Sequence, residues 1–267
     1  MQANPRRGEV APREDVLGHP VDAVSMPVAV QAVIERALQG TSGGYVCLTN
    51  IHTTIESQRA EELRRAAEGA FLSVPDGMPL VWILRRRGHR STQKVTGIEL
   101  MPLVAAAGRE VGLRHFFYGG APGVAEAAGR ALTSLVPEAH VVGASSPPFT
   151  SIDRWPLEEL QAQLHETQPH IVWLGLGAPK QEIWMAKVAA ELEVPVMIGV
   201  GAGLDFLAGV KRAAPRLLSR MGLEWLFRLV SEPRRLWRRY LIGNTRFLYL
   251  LARESLARPS VSRRSTL

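Results

Sequence analysis

The chain has 267 residues, of which 46% are apolar and 21% are charged, the composition of a folded globular protein. The single cysteine, Cys47, excludes a disulfide scaffold, and no run of about 18 charge-free apolar residues predicts a membrane-spanning helix. Residues 211–267 contain 14 Lys and Arg against 3 Asp and Glu, a charge of +11, whereas the whole chain carries +7. This basic tail predicts an anionic partner, which is nucleic acid, a membrane surface or a phosphate-rich substrate.

The N-terminal residues 1–20 contain charged residues and prolines but no apolar core of a signal peptide. We therefore expect a flexible N-terminus over 1–20, an α/β core over 21–210, a basic helical appendage over 211–255 and a flexible C-terminus over 256–267.

The core alternates between short apolar runs and helical patterns. The predicted strands are Tyr45–Thr49, Ala70–Val74, His115–Tyr118, His140–Val142, Ile171–Leu174 and Val196–Val200. The predicted helices are Thr53–Glu68, Gly97–Val111, Val124–Val136, Pro156–Thr167 and Lys180–Leu192. This alternation predicts an α/β fold, a Rossmann-like parallel sheet flanked by helices.

The appendage differs from the core because it has helical patterns without strands, interrupted near Pro233. Its aromatic and aliphatic residues are interspersed with arginines, a composition that suits the interface of an anionic bilayer. The alternative is a helix packed on the core with its arginines in solvent.

Several motifs of common function classes are missing from the sequence. There is no Walker A loop, no Asp-x-Asp pair and no cluster of Cys and His, so we predict neither a metal site nor a cofactor. The run Gly175–Lys180 begins like a dinucleotide fingerprint but lacks the third glycine, which leaves a nicotinamide dehydrogenase as a weak alternative.

Candidate site residues follow the ends of the predicted strands, where α/β folds bind ligands. Asn50 follows the first strand and either caps the next helix or contacts a ligand. Asp76 follows the second strand and either caps a helix that begins near Met78 or acts as a general base.

Three further junctions are rich in glycine. The run 118–123 contains Gly119 and Gly120, and it forms either a tight turn or an approach for a diphosphate to helix amides. The run 175–182 ends with Gln181 and Glu182 in a first helical turn. In the run 199–205, Asp205 either contacts substrate or forms an ion pair with Arg212 that holds the tail.

Seven ordered sequence blocks resemble the WecG/TagA/CpsF family of bacterial glycosyltransferases over about residues 45–250. They are PDGMPLVW (75–82), VTGIELMP (95–102), FFYGGAPGVAE (116–126), SPPF (146–149), LGLGAPKQE (174–182), VGAGLDFLAG (200–209) and GLEWLFRLVSEPRRLWRRY (222–240).

The resemblance implies an inverting, metal-independent transfer of a sugar, such as N-acetylmannosamine, another hexose or a uronic acid. The donor would be a UDP-sugar and the acceptor a polyprenyl-diphosphate-linked saccharide of cell-surface polysaccharide synthesis. It also implies a peripheral cytoplasmic enzyme on the inner face of the bacterial cytoplasmic membrane, bound through residues 212–250, and leaves a homo-oligomer open.

By matching of motifs, the resemblance assigns Asp76 as the base and implies catalytic roles for Asn50 and Gln181. The other candidates are substrate-binding residues from the same blocks and junctions. They are Thr49, Lys94, Thr96, Gly97, Gly119, Gly120, Gly177, Glu182, Asp205, Arg228, Arg234 and Arg235. Leu48 and Lys94 stand where some members have Thr and Arg, which leaves the donor sugar open. A non-catalytic adaptor that binds membrane or nucleic acid through the basic tail is the alternative from another class.

Overall fold

The computed structural model describes residues 10–148, 155–215, 217–218 and 221–257. The strands are β1 Arg13–Val16, β2 His19–Asp22, β3 Gly44–Thr49, β4 Leu72–Pro75, β5 Arg114–Gly119, β6 His140–Ser145, β7 Ile171–Gly175 and β8 Val196–Gly199. Strands β3 to β8 form one parallel sheet in the order β4-β3-β8-β7-β5-β6. All six predicted strands are therefore present, and the predicted α/β fold is confirmed.

Helices alternate with these strands along the chain. They are α1 Met26–Leu38, α2 Ile51–Glu56, α3 Glu61–Gly69, α4 Met78–Arg86, α5 Gly97–Gly108, α6 Val124–Leu135, α7 Leu157–Thr167, α8 Lys180–Val188 and α9 Gly203–Leu207. The appendage adds α10 Glu224–Ser231, α11 Pro233–Trp237, a π-helical turn Arg238–Ile242 and α12 Gly243–Ala257. Within the described residues, no helix is both long enough and apolar enough to cross a bilayer.

Both faces of the sheet are covered by helices. Successive side chains of a strand point to opposite sides, so each strand contributes to two apolar cores. On β3, Val46 and Leu48 belong to the core beneath α1, α5 and α6. Tyr45 and Cys47 belong to the core on the other face, beneath α7 and α8. The burial of this strand on both faces explains its continuous apolar sequence.

The helix predicted over Thr53–Glu68 is wrong in one respect, because the structure has two helices there, α2 and α3. Helix α2 packs against α12, whereas α3 packs against α8 and β2. The turn between them allows each helix to reach its own partner. The strand and helix pattern also did not predict α1.

The N-terminus differs from the expected flexible segment over residues 13–20, which contribute to the hairpin of β1 and β2. The Arg13 guanidinium donates two hydrogen bonds to the Asp22 carboxylate, at 2.7 and 2.8 Å. Asp22 in turn accepts a hydrogen bond from the Ser73 backbone N–H of β4 at 2.7 Å. These contacts with distant residues hold the hairpin on the sheet. Residues 1–9 and 258–267 lie outside the described residues.

The appendage packs on the core through a third apolar cluster. Phe247 of α12 is 1% exposed and is buried among Val16, Val21, Leu80 and Leu84. The hairpin, α4 and the appendage therefore share one apolar interior, and the docked appendage does not depend on surface charge alone.

Replacing Phe247 with alanine should lower the free energy of unfolding by about 3–5 kcal/mol, because it removes a fully buried aromatic ring. Urea unfolding measures this loss. Tyr249→Ala is the matched control on the same helix, since Tyr249 is 60% exposed. Equal effects of the two variants would show that α12 is not docked in this way.

Candidate active site

The carboxyl ends of the central strands open into a cleft of about 950 Å³. Strand β5 continues to β6 on one side, whereas β7 continues to β8 on the other, so the two connections leave in opposite directions. Such a reversal creates a crevice at the ends of the two strands. Gly120 and Gly177 line the cleft at this point.

Close packing around the floor of the cleft requires glycine at two positions. A Cβ on Gly119, whose φ is +121°, would lie 2.8 Å from the Gly175 backbone. A Cβ on Gly97 would lie 2.7 Å from Cβ of Val200. These glycines bring neighbouring loops into contact, and the backbone of Gly97 remains accessible from the cleft.

Asn50 performs the capping role that was one of its two predicted roles. Its Oδ1 accepts hydrogen bonds from the backbone N–H groups of His52 at 3.0 Å and Thr53 at 3.3 Å, which begins α2. Its side chain also lines the cleft. The preceding residue, Thr49, is buried, and its hydroxyl lies 2.7 Å from that of Ser73. This contact joins the end of β3 to β4.

Asp76 follows β4 and is fixed by its backbone N–H, which donates to the Thr49 carbonyl at 2.7 Å. Gly77 is the N-cap of α4, and no side chain caps this helix. The predicted alternative, in which Asp76 serves as a cap, is therefore wrong. The carboxyl group remains available to the cleft.

A second cavity of about 130 Å³ lies between α2, α4 and the appendage. Six residues line both this cavity and the cleft, namely Asn50, Asp76, Glu224, Arg228, Arg239 and Tyr240. Asp76 therefore stands where two cavities meet.

Charged residues from the core and the appendage surround Asp76. Burial raises the pKa of Asp76 to about 6, and the carboxylate of Glu224 adds to the rise. The positive charges of Arg228, Lys94 and Arg239 act in the opposite direction. A carboxyl with this pKa is mostly ionised at neutral pH and is still basic enough to accept a proton.

Glu224 links the appendage to the core beside Asp76. Its carboxylate lies 3.2 Å from Nζ of Lys94 in the core and 2.7 Å from Nη2 of Arg228 in α10. Burial acts to raise the pKa of Glu224, but the two cations hold it below its usual value. Glu224 therefore stays ionised and orients both cations.

The described residues contain no group of three or more His, Cys, Asp or Glu side chains arranged to hold a metal ion. The described residues that line the two cavities carry side-chain cations together with the carboxylates of Asp76, Asp205, Glu224 and Glu232.

A model of the glycosyl transferase WecG/TagA/CpsF family matches residues 14–261. The chain belongs to this family. It is a glycosyltransferase, and its family implies a sugar-nucleotide donor and a glycan acceptor.

Most of the predicted site residues of this glycosyltransferase come together. Those that line one or both cavities are Asn50, Asp76, Lys94, Thr96, Gly97, Gly120, Gly177, Gln181, Asp205, Arg228 and Arg235. Four others are not part of the lining, namely Thr49, Gly119, Glu182 and Arg234. Thr49 and Glu182 are buried, Gly119 packs under Gly175, and Arg234 is exposed to solvent.

The predicted ion pair of Asp205 with Arg212 is wrong, because Asp205 pairs with a different residue. Asp205 pairs with Lys211, whose Nζ lies 3.0 Å from the carboxylate, and Arg212 is exposed. Lys211 also lies 3.7 Å from Glu232 at the start of α11. The pair therefore still joins the cleft wall to the appendage, one residue earlier in the chain.

Arg239 is a site residue of the glycosyltransferase that the sequence analysis did not select. It lies in the π-helical turn and lines both cavities, and its Nε has no hydrogen-bond partner in the described part of the chain. Arg235 and Arg239 are four residues apart, a spacing that favours one helical face. That spacing could have distinguished Arg239 from the exposed Arg238.

Asn50→Ala should lower the free energy of unfolding by about 1 kcal/mol, because the N-cap of α2 is lost. Asn50→Ser should recover most of this stability, since serine is also a good N-cap, but it should not recover sugar transfer. Thermal unfolding and transferase assays measure the two effects. Full recovery of transfer in Asn50→Ser would limit Asn50 to its capping role.

Proposed function

We propose that the protein is an inverting glycosyltransferase that moves a sugar from a UDP-sugar to a polyprenyl-diphosphate-linked saccharide without a metal ion. The supporting observation is the position of Asp76, which lies where two cavities meet and is surrounded by cations. A transferase with two substrates needs one general base between them, and Asp76 fits this requirement.

The two cavities suit two different substrates. The larger cleft has glycine backbones at its floor and the start of α8 at its edge, which favours a nucleoside diphosphate. The smaller cavity has Trp225 and Tyr240 in its lining, with ring centroids 6.0 Å apart. Aromatic rings provide the apolar contact surface that a sugar ring needs, so we assign the acceptor saccharide to the smaller cavity.

The reaction is a single displacement at the anomeric carbon. Asp76 accepts the proton of the acceptor hydroxyl while the hydroxyl oxygen forms a bond to the anomeric carbon. The bond from that carbon to the diphosphate oxygen breaks, and its electron pair leaves with UDP. Attack from the face opposite the leaving group inverts the anomeric configuration.

The leaving diphosphate gains negative charge, which the site can stabilise with its own cations. Arg228, Arg235, Arg239 and Lys211 all line the larger cleft. Guanidinium groups form strong, often bidentate, hydrogen bonds with phosphate oxygens. We therefore assign the stabilisation of UDP to the appendage arginines, which need no metal ion for this role.

The appendage also provides the proposed membrane surface. Its exposed apolar residues include Trp237, Leu241, Ile242 and Leu248, and arginines lie between them. Such a surface binds an anionic bilayer by inserting apolar side chains while arginines contact the headgroups. A polyprenyl-linked acceptor resides in that bilayer, so we propose that the protein acts at the inner face of the cytoplasmic membrane.

Asp76→Asn should abolish turnover and retain UDP binding, because the amide cannot accept the proton but has the same size. In the wild-type protein, transfer should decline as the pH falls through about 6, where Asp76 becomes protonated. The assay is UDP release by the full chain with lipid-diphosphate-linked saccharides and a panel of UDP-sugars, with EDTA present throughout.

Acceptor-dependent release that survives EDTA and disappears in Asp76→Asn would support the proposal and identify the donor. Retained turnover in Asp76→Asn would exclude Asp76 as the base. An enzyme that becomes inactive in EDTA and recovers with a divalent cation would contradict the metal-independent mechanism. Absence of both UDP release and UDP binding would favour the adaptor alternative.

Binding to vesicles should depend on the appendage. The double variant L241S/I242S should reduce sedimentation with vesicles that contain anionic lipid, because it removes two exposed apolar side chains from the proposed contact surface. Leu135→Ser is the matched control, since Leu135 is similarly exposed at the end of α6. Equal binding of both variants, or equal binding to neutral vesicles, would argue against this surface.

A further inference from the structure

Gln181 lies at the floor of the larger cleft and joins two loops. The first loop follows β7 and contains Gly177, and the second follows β8 and contains Gly201. The side-chain Oε1 of Gln181 accepts a hydrogen bond from the backbone N–H of Gly177 and another from that of Gly201, each 3.2 Å long. One amide oxygen therefore connects loops that belong to neighbouring strands of the sheet.

These two hydrogen bonds fix the orientation of the Gln181 amide. Because both donors face Oε1, a rotation that exchanged oxygen and nitrogen would place N–H groups against N–H groups. The Nε2 atom therefore points the other way, and it donates to Oε1 of Glu182 at 2.9 Å. The side chain of Gln181 is 2% exposed, so little of it remains for a substrate.

Glu182 is a buried carboxyl with few other contacts. It is 2% exposed, it is absent from the lining of both cavities, and its Oε2 has no partner among the described residues. Burial raises the pKa of Glu182 to about 7. A buried carboxyl at this position is unfavourable by itself, and among the described residues the side chain that donates a hydrogen bond to it is the amide of Gln181.

The surrounding glycines show how closely this connection fits. A Cβ on Gly199 would lie 3.0 Å from Nε2 of Gln181, and a Cβ on Gly201 would lie 3.7 Å from both side-chain heteroatoms. The glycine at the end of β8 therefore leaves space for the amide under the loop.

We propose that Gln181 is a positioning residue that fixes the loops after β7 and β8 in the form that binds the donor nucleotide, and that Glu182 orients its amide. The assignment of donor nucleotide to this cleft rests on the proposed function, whereas the connection between the loops does not. Gln181 therefore acts through the backbones of Gly177 and Gly201 and not by contact with the reacting atoms.

The exchange of the Gly177 amide hydrogen tests the connection without any substrate. In the described residues, the Gly177 N–H donates to Gln181 Oε1, whereas that of Gly201 also donates to the Leu174 carbonyl. Gln181→Ala should accelerate exchange at Gly177 about tenfold. Lys187→Ala, an exposed substitution on the same helix, should leave this rate at the wild-type value.

The double variant Q181E/E182Q distinguishes positioning from substrate contact. A glutamate at 181 accepts from both backbone N–H groups, and a glutamine at 182 donates to its second oxygen, so the pattern and the net charge are preserved. We expect Gln181→Ala to raise the KM for the UDP-sugar about tenfold or more, with a smaller change in kcat. We expect Q181E/E182Q to have a KM close to that of the wild-type protein and to restore the slow exchange of the Gly177 amide hydrogen.

Two results would overturn the proposal. One is wild-type exchange at Gly177 in Gln181→Ala, which would show that the amide does not hold the loop. The other is slow Gly177 exchange in Q181E/E182Q without recovery of KM, which would show that the amide of Gln181 itself contacts the substrate. If wild-type protein does not bind UDP, the proposed function fails, but the exchange experiment still decides whether Gln181 connects the loops.

Discussion

The site depends on the ion pair of Glu224 with Lys94, which crosses from the appendage to the core, and on the pair of Glu224 with Arg228 within α10. Lys94 precedes α5 of the core, whereas Glu224 and Arg228 belong to α10. In such a partly buried position an unpaired charge is costly, so each of these side chains needs an opposite charge nearby. Separation of the appendage from the core would leave Lys94 without this partner beside Asp76.

The charges around Asp76 also determine how it functions. Two carboxylates, Asp76 and Glu224, face three cations, Lys94, Arg228 and Arg239. The cations favour an ionised Asp76, whereas burial and Glu224 favour a protonated one. The result is a carboxyl group with a pKa of about 6, which suits the general base of the proposed reaction. The excess positive charge is also suited to the anionic leaving group of the proposed reaction.

The sequence predicted the central sheet because its signals are local. Runs such as Ile171–Leu174 are apolar at each position, as a strand buried on both faces must be, and the glycine-rich junctions follow the strand ends. The hairpin of residues 13–22 was not predicted, since it is held by contacts between Arg13 and Asp22 and between Asp22 and Ser73. A side chain that accepts a hydrogen bond from a backbone N–H 51 residues away leaves no periodic pattern in the sequence.

The same distinction applies to the site residues. Asp76 and Asn50 could be selected because each directly follows a strand, and a strand end has a known place in a parallel sheet. The partner of Asp205 could not be selected, since Lys211 and Arg212 are adjacent cations and only the path of the backbone decides between them. The position of Gln181 could be predicted from the sequence but its contacts could not, because its side-chain oxygen accepts from backbone N–H groups that almost any residue could provide.

The division of the site between core and appendage has a consequence for the order of events. Asp76 and the glycine loops belong to the core, whereas Arg228, Arg239, Trp225 and Tyr240 belong to the appendage. The smaller cavity therefore exists only when the appendage is docked, because the appendage supplies one of its walls. The buried Phe247 holds α12 on the core from the far side of the π-helical turn. If the exposed residues of the appendage bind the bilayer as proposed, then the same part of the chain supplies both a wall of the acceptor cavity and the membrane surface. Binding to the membrane would then bring that cavity, with Asp76 in its lining, close to a lipid-linked acceptor.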